Sequence, residues 1–450
     1  MPEKINVINM IELSINKLNE LDFADYVIET QRSNRSQLRF ADNQFTVAKN
    51  WASTILGVFA VKESRTVATQ IEDLSAETIN SSIESLAKLA GSLPKNENYM
   101  GISDGPFSYP NIEHLADPDF LEFHDKSIDN VESAIRAAEE EGAKRSAGVL
   151  LWDVTERNLR SSHGALVKSN STSFEFSIRS FVDEKSSGSG VAVGRLSSKL
   201  NFEKAGRDAG KIAKMSVGGI NGEPGKYNVI LSPKVAGDII AATPAAANPF
   251  NVEIGLSWLK DKIGEKIGPD LVTVYDDALL PNGLGSRVCD DEGHPTGRNM
   301  IVENGILKGF IHNTSTAKKV GTTSTGNAGL VFPQNSNIFF EPGDQSFEEL
   351  LEISKDKPTL YITNNWYTRF TSYVDGVFST IPRDGMFLVE NGEIKQPVRE
   401  LRITDTMLNI FKNIKAMSKE NIQIKTWEVP QPVFIPYVLV EDVNLTAATS

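Results

Sequence analysis

Residues 300–310 read MIVENGILKGF, and residues 387–397 read FLVENGEIKQP. In each, apolar residues run up to Glu-Asn-Gly and a second strand-like segment follows. Asn-Gly between strands is a strong short hairpin signal, because both residues tolerate positive φ and the resulting turn twists with the strands. Two origins fit the likeness, an internal duplication or one turn solution used twice, and turn chemistry alone is enough to produce it. Working outward, NVILSP (Asn228–Pro233) and LVTVYDD (Leu271–Asp277) read as buried strands. Ser346 and Glu349 form a capping box that opens a helix to Ile353. A further helix is expected over Met407–Met417. The second half is therefore mostly strand.

The first half mixes both periods. Ile11, Ile15 and Leu18 mark an amphipathic helix. Strand patterns follow at Tyr26–Thr30, Gln37–Phe40 and Thr54–Val61. Ser75 caps a helix whose face is Ile79, Ile83 and Leu86, with Gly91 placed for its C-terminal cap. From Gly91 to about Phe120 the composition turns to Pro, Gly, Asn and Asp, as in an ordered connection over the surface. A third helix is expected at Ser127–Glu141. Strands are expected at Val149–Thr155, Ala165–Ser169, Phe174–Val182 and Val191–Leu196, then a helix at Phe202–Met215. Gly218–Gly225 cannot continue a helix and buries little, so it divides the chain into 1–217 and 226–450. With no regular βαβ alternation, the class is α+β, a mixed helix/sheet domain followed by a strand-rich one.

Composition narrows the function. The 450 residues carry 46 Lys and Arg against 59 Asp and Glu, a net charge of −13. Phosphate binding needs a basic face, so an acidic chain argues against a nucleic-acid binder. The single cysteine, Cys289, excludes an internal disulfide framework and Cys-rich zinc modules, and fits a reducing compartment. Five histidines leave room for few metal sites. The start of the chain lacks the apolar core of a signal peptide, and no window has the roughly 18 apolar residues a spanning helix needs. A cytoplasmic protein is expected.

Few local motifs carry chemistry. GIGEKIG and GTTSTGNAG have the wrong spacing for phosphate loops, and Gly188-Ser189-Gly190 lacks the outer glycines of a nucleophile elbow. Cys289 could act as a nucleophile with His294 five positions on, although a lone Cys is more often a small packing residue. Asp290, Asp291, Glu292 and His294 are the densest cluster of metal-capable side chains. The reading set against a metal site is a solvated acidic turn.

Longer segments carry a resemblance. LSPKVAGDII, DDEGHPTGRNMIVENGILKGFIHNTSTAKKVG, the STGNAG that follows and VENGEIKQPVRELRITD resemble the TldD/PmbA family. TVATQIEDLSAETINSSIESLAKLA and NLRSSHGALVKSNS resemble it more loosely, so the likeness covers most of the chain. It implies a two-domain fold found in two kinds of subunit. One carries an H-E-x-x-x-H helix and a distant Cys that hold zinc, and is a metallopeptidase. The other, the PmbA or TldE type, lacks the ligands. The two enclose a cavity and cut unfolded or extended peptides. The family name "modulator of DNA gyrase" does not imply DNA binding.

Carried over residue by residue, the resemblance puts the first His and the Glu on Ala241 and Ala242 and the second His on Ala246. No histidine stands between His163 and His294, and TWEVPQPVFIPYVLV lacks the late Cys. Zinc hydrolysis needs protein ligands, an open water position and a carboxylate base. Alanine supplies none of these, and Pro244 would disturb a ligand-bearing helix. Asp290, Asp291, Glu292, Arg298, Thr325, Gly326 and Asn327 match positions around the family's cleft. They could hold an extended peptide, or could simply stabilise turns.

The expected function is that of the non-catalytic subunit, binding no cofactor itself. Its partner would be a zinc-bearing subunit, in a heterodimer, or a second copy of itself. The alternatives are a peptidase with a relocated site near Cys289 and His294, or a homo-oligomeric peptide-binding protein without catalysis.

Overall fold

The computed structural model describes residues 7–355 and 357–448. The first half contains α1 (Val7–Glu20), β1 (Asp25–Ala41), β2 (Gln44–Lys62), β3 (Arg65–Ile71), α2 (Ala76–Ser92), α3 (Phe120–Glu140), β4 (Arg145–Ser161), β5 (Leu166–Phe181), β6 (Ser187–Gly194) and α4 (Phe202–Met215). Its strands form one antiparallel sheet in the order β3-β2-β1-β4-β5-β6. Successive side chains of a strand point to opposite faces. Residues 26, 28, 56, 58 and 60 meet α1 and α2, while 38, 40, 150, 152, 174 and 176 meet α3 and α4. Both helix pairs therefore cover one face. Val27, Phe59, Val61, Leu159 and Val167 point the other way and pack with Ile102 and Cys289. That second face is closed by the 93–119 connection and by loops of the second half.

The second half adds β7 (Ile220–Asn221), β8 (Gly225–Leu231), α5 (Pro233–Ile239), α6 (Ala242–Ala245), α7 (Pro249–Glu253), β9 (Val274–Asp277), β10 (Arg298–Glu303), β11 (Ile306–Leu307), α8 (Thr314–Lys319), β12 (Ile338–Phe340) and α9 (Phe347–Ile353). It ends with β13 (Thr359–Ser372), β14 (Val377–Glu390), β15 (Glu393–Arg399), β16 (Leu401–Thr406), α10 (Met407–Lys412), β17 (Ile414–Met417), β18 (Ile422–Ile424), β19 (Val433–Ile435) and β20 (Val438–Ala447). One sheet runs β11-β10-β9-β12-β19-β18 and the other β13-β8-β20-β16-β14-β15-β7. Because β13 also pairs with β14, the strands β13, β8, β20, β16 and β14 close a ring. A single large apolar cluster joins α5, α6 and α10 to both sheets. The architecture is α+β. No helix among the described residues is long and apolar enough to cross a membrane.

Both Glu-Asn-Gly segments are hairpins. Asn304 and Gly305 have φ of 49° and 75°, and Asn391 and Gly392 have 53° and 76°. The capping box at Ser346 and Glu349 is present, and α4 spans the expected residues. Other expectations need correction. Tyr26–Thr30 and Gln37–Phe40 are the ends of one strand, and Ala165–Ser169 and Phe174–Val182 also share one. Gly91 lies inside α2, whose C-cap is Leu93. The third helix begins seven residues before Ser127, at Phe120. The helix at Met407 stops at Lys412, because Ile414–Met417 pairs with β20 instead.

Candidate functional site

The turn from β8 into α5 is where the resemblance puts the metal-binding helix. Here the helix breaks. α5 ends at Ile239, Ala241 has helical backbone without a cap, and α6 is four residues long with Pro244 inside it. Proline cannot donate to the carbonyl four residues back, so the hydrogen-bond ladder is interrupted. Ala241 is 2% exposed and Ala246 7%, both in the large apolar cluster, with Ala242 packed against it. These three side chains offer no lone pair, and they face core atoms. The residues do not fit a zinc ion. Among the described residues no three His, Cys, Asp or Glu stand close enough to hold a metal.

The 289–298 loop is built differently from a solvated turn. Asp290 is fully buried and Glu292 4% exposed, which corrects the solvated reading. Asp290 acts as a peg. Its Oδ1 accepts from the backbone N–H of Glu292 (3.0 Å) and of His294 (2.9 Å), and its Oδ2 from Ala328 N–H (2.9 Å). Burial raises its pKa to about 6. Glu292 Oε2 accepts from Ser103 Oγ (3.1 Å) and from the Thr314 hydroxyl. Burial, then the nearby Asp290, raises its pKa to about 7. Asp291 pairs instead with Arg157 (3.1 Å) and Arg287 (3.3 Å). The three carboxylates therefore diverge onto separate partners rather than converging on one point.

Cys289 is fully buried, and burial pushes its thiol up to about 11. Its Sγ faces Arg157 Nη1 at 3.5 Å, and no hydrogen bond joins it to His294. His294 stacks obliquely on Phe107, with ring centroids 5.3 Å apart, and burial lowers its pKa. The pair lacks the contact a thiolate-imidazole nucleophile needs.

The remaining resemblance positions divide. Asn327 is buried, and its Nδ2 donates to Asp276 Oδ1 (2.7 Å) while its Oδ1 accepts from Thr325 Oγ1 (2.8 Å) and Asn299 Nδ2 (3.0 Å). Gly326 has φ of 70°, and a Cβ there would sit 2.5 Å from Pro295 O. Asn327 therefore anchors the 324–328 loop to β9 and β10, and Gly326 lets it pass close against Pro295. The bonds from this loop to the 289–298 loop run through Ala328, whose N–H donates to Asp290 Oδ2 and whose carbonyl accepts from Asp291 N–H (3.0 Å). Arg298 stands apart on β10, exposed, over the Tyr275 ring (3.7 Å) and beside Asp277 (3.3 Å). Several residues that hold the site escaped the sequence reading. Arg157 binds Glu29 (2.7 Å), Asp291 and the Cys289 carbonyl (3.2 Å) from across the sheet. Its only local signal is a polar position in an alternating strand.

Two family models match, the PmbA/TldA metallopeptidase central domain over residues 114–217 and the C-terminal domain over residues 224–447. The chain belongs to the PmbA/TldD family. A metalloprotease of Methanocaldococcus jannaschii is 36% identical over 205 residues, 44% of each chain. Metalloprotease PmbA of Escherichia coli O157:H7 is 25% identical over 394 residues, 84% of each chain. The matched region spans about half the length of the first curated relatives. The crystal structure of TldE from Thermococcus kodakarensis superposes with a TM-score of 0.86 at 20% identity, over 97% of this chain and 100% of that one. At that identity the likeness is one of fold. The chain is thus metallopeptidase-related, with a PmbA/TldD fold whose metal-helix position is apolar.

Proposed function

We propose that this chain is the zinc-ligand-free subunit of a PmbA/TldD-type metallopeptidase assembly, acting in the cytoplasm on unfolded or extended peptides. The supporting observation is the packing of Ala241, Ala242 and Ala246 against the core, where ligands would need lone pairs and an open water position. The chain contributes walls and binding surface, and a zinc-bearing partner contributes the chemistry. Asp290, Glu292, Gly326 and Asn327 frame the peptide cleft: Asp290 joins the 289–298 loop to Ala328, Glu292 ties that loop to Ser103 and Thr314, and Asn327 anchors the 324–328 loop to β9 and β10. Arg298, Asp291 and Thr325 retain partly exposed side chains that can meet peptide.

The test is native co-purification with elemental analysis, followed by reconstitution with an H-E-x-x-x-H subunit from the same source. The expected result is a metal-free chain without peptidase activity, and a stable mixed complex that cleaves an unfolded peptide. Stoichiometric zinc and cleavage by the purified chain alone would overturn the proposal. So would assembly only with itself in the native source, which is the homo-oligomeric alternative.

A further inference from the structure

A cleft of about 580 Å³ lies where the first half meets the second. That volume is in the range of small-ligand sites. One side is α4. The cleft is also lined by an aromatic group of Phe347, Tyr361, Phe387 and Tyr437, in which the Phe347 centroid is 5.0 Å from both tyrosine rings and against which Ile212 and Met215 of α4 pack. β6, an edge strand of the first sheet, lines it as well. Lys234, in the first turn of α5, reaches across to that edge.

Lys234 Nζ donates to Ser189 O (2.6 Å) and to Ser189 Oγ (2.7 Å). An ammonium has three N–H donors. No third acceptor, and no carboxylate within 4.0 Å, is found for it among the described residues. Asp384, the acid with the largest charge effect on Lys234, is held by Arg179 Nε (2.5 Å), Ser187 Oγ (2.7 Å) and Asn364 Nδ2 (2.8 Å). The cleft as a whole is lined by Lys199, Lys204, Lys211 and Lys234 against Asp208 and Glu420, and Lys204 already pairs with Asp208 at 2.7 Å. On a chain of net charge −13 this is a local cationic excess. A half-buried cation with no carboxylate in ion-pair contact, in a cleft that also carries an aromatic wall, complements an anion with an apolar body.

We propose that this cleft binds an organic carboxylate carrying an aromatic or apolar body, with the carboxylate on the free N–H of Lys234 and the body on the Phe347–Tyr437 wall. The carboxylate can belong to a small free acid or to the C-terminal end of a peptide finishing in an apolar residue. The site does not depend on the assembly proposed above, since every group in it belongs to this chain.

Burial lowers the Lys234 pKa to about 8, opposed by Asp384 on β14 and by Asp208 on α4, with Lys204 adding to the lowering. Only the protonated form attracts the anion, so affinity holds below pH 8 and falls above it.

The experiment is calorimetric titration of the full chain with 3-phenylpropionate, and with N-acetyl-Ala-Ala-Phe as the free acid and as the C-terminal amide. The expected result is binding of at least one acid with Kd between about 10 μM and 1 mM. The amide should bind at least about tenfold more weakly, and affinity should fall about tenfold or more from pH 7.5 to 9.5. Binding of the peptide acid alone identifies a peptide terminus. Binding of 3-phenylpropionate alone identifies a small acid, and its amide serves as the control. Lys234→Met should abolish binding. Phe347→Ala, which leaves Lys234 in place, should weaken it several-fold, keeping the test open if the lysine variant fails to fold. Equal affinity for acid and amide, no pH dependence, or no binding of either acid would overturn the proposal.

Discussion

Glu292 shows what a buried acid costs this fold. Its pKa lies near 7 against an ordinary 4.5. Between those values the folded chain keeps a proton that the unfolded chain has lost. Stability then falls as pH rises through 4.5 to 7, and above that window the penalty is complete. Glu292→Gln removes the titration while keeping an oxygen for Ser103 and Thr314. The variant should melt at the same temperature as the parent or higher at pH 8, and gain less than the parent on acidification to pH 5.5. A parent whose midpoint does not rise between pH 8 and 5.5 would sink this account. Ala246 makes the opposite case, since it is defined by what surrounds it. Ala246→His places a larger polar ring into a packed cluster, which costs roughly 1–3 kcal/mol. Thermal denaturation should show that loss, and elemental analysis of Ala241→His/Ala242→Glu/Ala246→His should find no stoichiometric zinc, because Pro244 still breaks the helix.

At the scale of elements, the two Glu-Asn-Gly hairpins look alike in sequence and differ in surroundings. A Cβ on Gly305 would lie 2.1 Å from Gly268 O, a backbone atom held by the 262–272 loop. A Cβ on Gly392 would meet Glu352 Oε2 at 2.8 Å, the movable end of an exposed side chain. Both substitutions incur the left-handed penalty of about 1–2 kcal/mol for a non-glycine residue. Gly392→Ala should stop there, while Gly305→Ala should cost about 3 kcal/mol or more as backbone is displaced. Urea titrations of the two variants should separate them, and equal midpoints would contradict the geometry. Local turn and cap chemistry was therefore legible: both hairpins, the capping box at Ser346 and the whole of α4 follow from side chains within a few residues. Long strands were not. β1 has the polar middle QRSNRS (31–36), largely exposed because neither helix pair covers it, and its ladder with β2 and β4 continues regardless. Hydrophobicity reports cover, not pairing. The same limit hid Arg157 and Lys234, whose roles depend on residues 128 and 45 positions away.

Across the whole molecule, each half has apolar clusters of its own, and a shared apolar face together with polar stitches joins them. Arg195 is one such stitch. It is 7% exposed and gives Nε to Gly283 O (2.7 Å), Nη1 to Thr172 O (2.8 Å), and Nη2 to Leu284 O (2.7 Å) and Ser286 O (2.9 Å). Asn282 Oδ1 returns the contact by accepting from the N–H groups of Arg195 (2.7 Å) and Leu196 (2.9 Å). A planar guanidinium spreads five N–H donors over a rigid fork wide enough for four separate carbonyls, whereas an ammonium of the same charge has three donors on one atom. Arg195→Met preserves the apolar stem but leaves four carbonyls without this donor, three of them in the 283–286 loop. Unsatisfied buried acceptors cost about 1–3 kcal/mol each before relaxation. With water replacing part of the loss, we expect a net cost of about 3–5 kcal/mol and a melting midpoint lower by about 4 °C. Arg195→Lys should recover only part of it. Because the loss falls at the junction, calorimetry of Arg195→Met should show the single transition broadening or splitting, with the two halves unfolding at separate temperatures. A sharp transition within about 1 °C of the parent would mean that the apolar face shared by Val27, Phe59, Leu159 and Cys289 couples the halves without the arginine.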